Sequence, residues 1–457
     1  MKKSLAIFIS MLTLVFASCF NDVDDTASSP YAILKSFSIG NITSQYPTFT
    51  SDGADTITTK TIQGSSYAFS INQATGEVYN ADSLPFATKV DKVTFSMGLS
   101  GYAKIYVDSL AAFDAFLSTD SIDFTSPRIV RITSTDGEYY KDYTVSVNVH
   151  QVEPEKMVWN KYPSVGASFA PLRALDIDNR MCLFGKEGDK FVLATTDLQG
   201  APSWTQTEIA GLPGTADLAT VQSFGGALYV VAADGIYTSA NGAEWSLSYG
   251  ATGIVAIVGV SDDDGNDGMM WVATADNLLS TTDGANYESA GALPYGFPLY
   301  GVSVASYKLN HNSGIVRYVA VGYDNEDMEG KATVWSRLST EDVWVKYENG
   351  NRPFQCPSLK GLTVLRYDDF LYAFGGAGTA QGEEVDAFSA FYISRDNGIT
   401  WKAPDDFYQR MPSDLQGCDA PFVATVDSNN MIWIVCAGED EDPFVFKGMI
   451  NRLGFKK

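Results

Sequence analysis

A strand, a polar turn and an aromatic residue recur through the last two-thirds of this 457-residue chain. A unit that leaves one apolar face bare must stack on its neighbours, so the repeat limits the fold more than composition does. The fullest copy is Ser394-Arg395-Asp396-Asn397-Gly398-Ile399-Thr400-Trp401. A second runs from Thr238 to Trp245 without the acid, and a third from Ser280 to Tyr287 with its Asp one place late. Two more follow from position, Thr195 to Trp204 and Ser336 to Trp344, and apolar strands such as Leu228-Tyr-Val-Val and Met270-Trp-Val-Ala precede the turns. In such a turn the hydroxyl and the carboxylate accept backbone N–H groups, Gly supplies the positive φ, and the aromatic packs between neighbouring strands.

The 394–401 segment matches the Asp-box pattern S-x-D-x-G-x-T-W at every defined position. Trp159, Trp204, Trp245, Tyr287, Trp344 and Trp401 fall at intervals of 45, 41, 42, 57 and 57 residues, with 56 residues after Trp401. Six phases result. The expectation is an all-β chain in which residues 153–457 form a six-bladed Asp-box β-propeller. No Asp-box precedes Trp159, and the last strands, near 431–436 and 444–453, have no segment after them. The 157–163 segment is therefore expected to supply the outer strand of the last blade and close the ring.

Residues 31–152 read as short alternating strands. The clearest pair is Arg128-Ile-Val-Arg-Ile-Thr with the alternation of Tyr143, Val145, Val147 and Val149, joined by a turn at Asp136-Gly137. Further strands are expected near 31–39, 66–72 and 90–97. About 120 residues spaced in this way suggest an Ig-like β-sandwich. The run Gln151-Val-Glu-Pro154-Glu then reads as a linker.

The N-terminus is a processing signal: Lys2 and Lys3, an apolar run over 5–16 too short to span a bilayer, and Ala17-Ser18 before Cys19. Residues 1–18 are the expected lipoprotein signal peptide, Cys19 the lipidated first residue, and 19–30 an acidic tether with Asp22, Asp24 and Asp25. The anchor would be the chain's one contact with a membrane. Without the leader 29 basic residues face 55 acidic ones, a net charge of −26. Nucleic acid is excluded as a partner, since its binding needs clustered Lys and Arg and no such cluster occurs. Of the other cysteines, Cys182, Cys356, Cys418 and Cys436 could pair in three ways in an exported chain; the apolar strands around Cys182 and Cys436 suit buried free thiols better.

Lipobox, Ig-like leader, Asp-box repeat and the closing strand Lys447-Gly-Met-Ile-Asn-Arg-Leu-Gly-Phe455 together resemble a family of Bacteroides-type surface lipoproteins of unknown function. The resemblance implies architecture and an outer-membrane, surface-exposed location, and no activity.

Asp-box propellers include sialidases, whose chemistry needs three Arg, a Tyr–Glu pair and an Asp acid. Their opening Arg-Ile-Pro is absent, and Phe169-Ala-Pro-Leu-Arg173 is the nearest approach. With only His150 and His311 in the chain, imidazole-rich metal or copper sites are excluded. Asp262, Asp264 and Asn266 have the 1, 3, 5 spacing of a calcium loop but lack its Gly and distal Glu, which favours a solvated hairpin tip. Insertions at 324–330 and 376–387 would wall an axial pocket if they share a rim. The leading reading is a non-catalytic, surface-anchored protein that binds a glycan or an envelope protein through one propeller rim, with no cofactor. Ser394, Asp396, Gly398 and Trp401 are structural in it, and no catalytic residue is assigned. A glycan-cleaving hydrolase and an envelope scaffold are the alternatives.

Overall fold

Among the described residues the regular elements are β-strands and a few short 3-10 turns such as Asn451–Phe455, and the chain divides into two units, Met1–Glu153 and Pro154–Lys457. The computed structural model describes residues 30–49, 55–107, 111–115, 120–261, 268–348, 352–404, 408–437 and 443–455.

In the first unit the strands Ile33–Ile39, Val93–Ser100 and Ser121–Ile122 form one sheet. A six-stranded sheet runs in the order Phe69–Asn72, Glu77–Asn80, Tyr140–Ser146, Arg128–Thr133, Tyr102–Val107, Ala112–Ala115. Period-2 alternation decides which side chains enter the shared core: Tyr143 and Val145 are buried beside Leu34, Phe37 and Phe95, and Thr144 between them is exposed. The Tyr143 hydroxyl is satisfied inside, donating to Gln73 Oε1 at 2.7 Å and accepting from the Leu34 N–H at 3.2 Å. The expected hairpin pairs Arg128–Thr133 with Tyr140–Ser146, Gly137 taking φ 74° in the turn; regular pairing ends at Ser146, short of Val149. Tyr140–Ser146 also pairs in parallel with Glu77–Asn80, a contact that local sequence patterns do not encode.

The second unit is a succession of six larger antiparallel sheets, with a small seventh one of Ser358–Leu359, Gly378–Ala380 and Glu383–Val385. The first holds Phe169–Ile177, Arg180–Glu187, Lys190–Asp197 and Thr205–Glu208; the second Asp217–Phe224, Ala227–Ala232, Gly235–Ser239 and Ser246–Gly250. The third holds Ile254–Ser261, Met269–Thr274, Asn277–Thr281 and Glu288–Ala292; the fourth Tyr300–Leu309, Asn312–Tyr323, Thr333–Leu338 and Val345–Lys346. The fifth holds Thr363–Tyr367, Phe370–Phe374 and Tyr392–Ser394, with an Ile393–Lys402 bridge where a fourth strand would lie. In the sixth, Phe422–Val426, Ile432–Cys436 and Phe444–Ile450 are completed by Met157–Pro163, which pairs antiparallel with Phe444–Ile450 along its whole length. Second strands are apolar on both faces because a sheet covers each side, as in Ile432–Cys436, where every residue is buried. First strands touch from sheet to sheet, and that of the sixth touches that of the first.

The six aromatic anchors share one role: each packs back onto the sheet before its own. Trp245 meets Phe184, Tyr287 meets Tyr249, Trp344 meets Trp271, and Trp401 is fully buried with Val319, Val321 and Val334. Trp204 meets Trp433 of the sixth sheet, and Trp159, on the incoming strand of that sheet, stacks on Phe391 beside the fifth. The seam between sixth and first sheets carries a further device. Buried Lys447 lies over the Trp433 ring and donates to the carbonyls of Leu198 at 2.6 Å and Gly200 at 3.0 Å.

Candidate functional site

The turn at 394–401 is built as its sequence demands. Ser394 Oγ accepts the Gly398 N–H at 2.8 Å and donates to Asp396 Oδ1 at 2.8 Å. The same oxygen takes the Thr400 N–H, Asp396 Oδ2 takes the Thr400 hydroxyl at 2.6 Å, and Trp401 Nε1 closes the turn on the Gly398 carbonyl at 3.0 Å. Burial would raise the Asp396 carboxyl, but the bonds from Thr400 and Ser394 outweigh it and hold the group below the usual carboxylate range.

The degenerate copies are corrected by one residue. The hydroxyl that serves each turn is Thr196, Ser239 or Thr281, not Thr195, Thr238 or Ser280. Side chains alternate along the strand, so the hydroxyl that reaches the turn must be the inward one; Thr196, Ser239, Thr281, Ser336 and Ser394 are all buried. Counted from Thr281, the acid is not late: Asp283 Oδ1 accepts the N–H groups of Ala285 and Asn286, in a turn one residue shorter. The copy at Ser239 does not lack its acceptor, since Asn241 Oδ1 takes the N–H groups of Ala243 and Glu244. The copy at Ser336 has no such turn; Arg317 Nη1 donates to Ser336 Oγ at 3.1 Å, and the buried Trp344 Nε1 has no partner among the described residues.

These turns use their polar groups within their own segments, and they follow third strands, at the end of each sheet opposite the start of its first strand. A cavity of about 500 Å³ is lined by all six first strands. Its wall takes residues near the starts of those strands, including Asp217, Ser303, Thr363 and Phe422, together with Glu326 and Met328 from the 324–330 insertion. That insertion joins the second and third strands of its sheet, which by antiparallel alternation puts it at the end where first strands begin. The 376–387 insertion joins the same pair of strands in the fifth sheet and belongs to the same end, but contributes no residue to the wall.

Arg173 is the one cation on this wall. It sits in the middle of Phe169–Ile177, half-buried, and its Nε donates to the Val221 carbonyl at 3.0 Å on the facing first strand. That bond fixes the guanidinium beside Gln222, which is 9% exposed and also lines the cavity. Among the described residues no carboxylate pairs with Arg173, and neither its terminal nitrogens nor the Gln222 amide has a hydrogen-bond partner. Burial pushes the Arg173 guanidinium down to about 10, which leaves it cationic at neutral pH. The acids of the wall stand nearer the mouth: Asp217 and Glu326 are exposed, and Asp217 Oδ1 accepts the Ala219 N–H at 3.0 Å. Tyr295, 96% exposed, lies on the connection into the fourth first strand, next to Gly296, which faces Asp324 of the insertion.

Sequence reasoning considered Arg173 only as a failed sialidase motif and missed Gln222. The available signal was a lone Arg in an otherwise apolar stretch of a first strand. Cys19 and the calcium candidates Asp262, Asp264 and Asn266 lie outside the described residues. Among the described residues no three His, Cys, Asp or Glu side chains gather to hold a metal. Cys182, Cys356, Cys418 and Cys436 are free thiols, with Cys182 and Cys436 buried.

Antiparallel sheets set around a common cavity define a β-propeller. Residues 153–457 match the family model described as the DUF6242 beta propeller domain, and residues 37–147 match the DUF6242 N-terminal domain, a domain of unknown function. The chain belongs to the DUF6242 family. No curated protein matches it. Similar solved structures include the α-L-arabinanase of Penicillium chrysogenum, 12% identical over 64% of this chain and 97% of that one, with a TM-score of 0.38. Virginiamycin B lyase from Staphylococcus aureus is 11% identical over 64% and 99%, TM-score 0.40, and a gluconolactonase from Xanthomonas campestris is 9% identical over 76% and 94%, TM-score 0.37.

Proposed function

We propose that this is an exported lipoprotein, anchored through Cys19, in which an Ig-like domain precedes a six-bladed, Asp-box propeller that binds a glycan at one rim without cleaving it. In this reading each of the six larger sheets is a blade, and Met157–Pro163 joins the ends of the ring. The observation that carries the proposal is the cavity where the first strands begin. It is concave and large enough for a short oligosaccharide, it mixes apolar wall with Gln222, Ser303 and Thr363, and the exposed Tyr295 stands on a connection at the same end. A tyrosine face suits the CH surface of a sugar, and carboxylates such as Asp217 and Glu326 accept its hydroxyls.

Those two acids also motivate the second reading, a glycan-cleaving hydrolase. That chemistry needs an acid buried against apolar groups so that it keeps its proton. Asp217 and Glu326 are both exposed, which favours binding. The test is a glycan array with the soluble chain from residue 20, followed by product analysis on any hit. Binding without cleavage, weakened at least tenfold by Tyr295→Ala, is the expected result. Cleavage abolished by Asp217→Asn or Glu326→Gln would establish the hydrolase, and no hit at all would move the function to protein scaffolding.

A further inference from the structure

Resting on the glycan-binding reading, we infer that the ligand is an acidic sugar, and that Arg173 and Gln222 form the subsite that receives its carboxylate.

The chain carries 55 acidic and 31 basic side chains, so a cation in it has many available partners. Three arginines elsewhere in the second unit use their terminal nitrogens: Arg317 donates to Ser336 and Tyr347, Arg366 pairs with Asp369 over the Tyr307 ring, and Arg452 is held by Asp368 and Glu155. Arg173 instead spends only Nε, on a backbone carbonyl, and leaves its terminal nitrogens without a protein partner in the cavity wall. A guanidinium kept partly out of water and away from carboxylates is costly unless something supplies the anion.

The second observation is Gln222. The residue is nine-tenths buried and lines the same cavity, its amide has no hydrogen-bond partner among the described residues, and it follows directly on the residue whose carbonyl fixes Arg173. That amide is not sealed off with its bonds unmade but stands open to the cavity, where a ligand can reach it. A carboxylate would answer both groups, taking a charge-assisted bond from the guanidinium and an N–H from the amide. Charge also grades along the axis. Arg173 and Gln222 are the fifth and sixth residues of their strands, whereas Asp217 opens its strand and Glu326 sits in a connecting loop. A ligand therefore meets hydroxyl acceptors at the mouth and an anion receptor further in. A sugar acid, with one carboxylate and several hydroxyls, fits this order; a neutral sugar leaves Arg173 unanswered, and a polyanion is repelled at the entrance. One arginine also differs from the three that sialidase chemistry requires, so the subsite is one for holding.

The experiment measures binding of oligosaccharides of two to four units that carry a single galacturonate or glucuronate residue, of their methyl esters, and of neutral oligosaccharides of equal length. The acids are expected to bind about ten- to a hundredfold tighter than their esters, the range for a charge-assisted bond made in a partly dry site. Arg173→Met should remove that preference. Because it also removes the bond to Val221, Gln222→Glu is the companion variant: it places an internal carboxylate beside Arg173, should keep or raise the melting temperature, and should still abolish acid binding. Equal affinity for acid and ester, or acid binding untouched by Gln222→Glu, overturns the inference. So does competition by inorganic phosphate as effective as that by galacturonate, since the site would then be a general anion receptor. Tight binding of neutral glycans alone overturns this subsite and leaves the glycan-binding function standing, whereas absence of any glycan binding overturns both.

Discussion

Gly448 and Trp159 offer a direct probe of how Met157–Pro163 docks. By strand register Gly448 occupies the position that Ser239, Thr281 and Ser394 hold in other sheets, since it pairs with Ile432 as Ser239 pairs with Leu228, Thr281 with Met270 and Ser394 with Leu371. A Cβ there would fall well inside contact distance of three atoms of the Trp159 indole. Gly448→Ala on an open strand would stabilise by about 0.5 kcal/mol through lost backbone entropy in the unfolded chain. Against the rigid indole it should instead destabilise by about 1–3 kcal/mol through overpacking. Trp159→Ala removes a half-buried ring that stacks on Phe391 and donates to the Arg410 carbonyl at 2.8 Å. Scaling the fully buried value by that exposure gives about 2–3 kcal/mol. The double variant should cost no more than Trp159→Ala alone, because the methyl then fills vacated space, so the coupling is about 1–3 kcal/mol and of compensating sign. Urea midpoints at constant m-value measure all four corners. A neutral or stabilising Gly448→Ala, or strict additivity, would show that the indole does not cover Gly448 in solution, and the docking of the strand would have to be redrawn.

The Asp396 turn and the cysteines give two further tests. Asp396→Ala loses three accepted bonds in a partly exposed turn, an expected cost of about 2–3 kcal/mol, and Asp396→Asn, which can still accept the Thr400 N–H, about 1 kcal/mol. Because the folded carboxyl lies below its unfolded value, the wild-type advantage is complete above about pH 4 and fades as pH falls through the folded value; an advantage that grows with acid would refute the hydrogen-bond account. Burial raises the Cys182 thiol to about 11 and pushes Cys436 up as well, so native protein at pH 8 should react with a thiol-specific disulfide reagent about a hundredfold more slowly at these two than unfolded protein does. Equal rates, read by mass spectrometry of each peptide, would contradict their burial.

What the sequence made legible was whatever is encoded locally. The strand alternation around Tyr143, the turn at Gly137 and the six aromatic anchors are each specified by residues within about ten positions, and all appear where expected. Three of the repeat turns, those at Thr196, Ser239 and Thr281, read one residue early in the sequence. A motif match aligns on the first hydroxyl, whereas the fold selects the inward one, and only the neighbouring sheet distinguishes Thr238 from Ser239. Asn241 escaped notice for a related reason: its amide oxygen does the carboxylate's work in a turn one residue shorter. The candidate subsite was least legible. Arg173 acquires meaning from the Val221 carbonyl and the Gln222 amide, nearly fifty residues onward on another sheet, and the parallel pairing of Tyr140–Ser146 with Glu77–Asn80 was hidden by the same distance.

The backward direction of the anchors links architecture to site. An aromatic that packs on the preceding sheet makes each interface depend on the turn that follows a third strand, at the end opposite the cavity. Stabilising contacts such as Trp401 on Val334 and Trp245 on Phe184 therefore gather away from the residues that line the mouth. The starts of the first strands are relieved of holding the sheets together, and the 324–330 insertion can reach over them. That separation leaves Arg173 and Gln222, on adjacent first strands, free to face the cavity. The interface between those two sheets is secured elsewhere, by Trp245, Phe184 and the buried cluster of Leu193, Leu218, Val221 and Val230 around them.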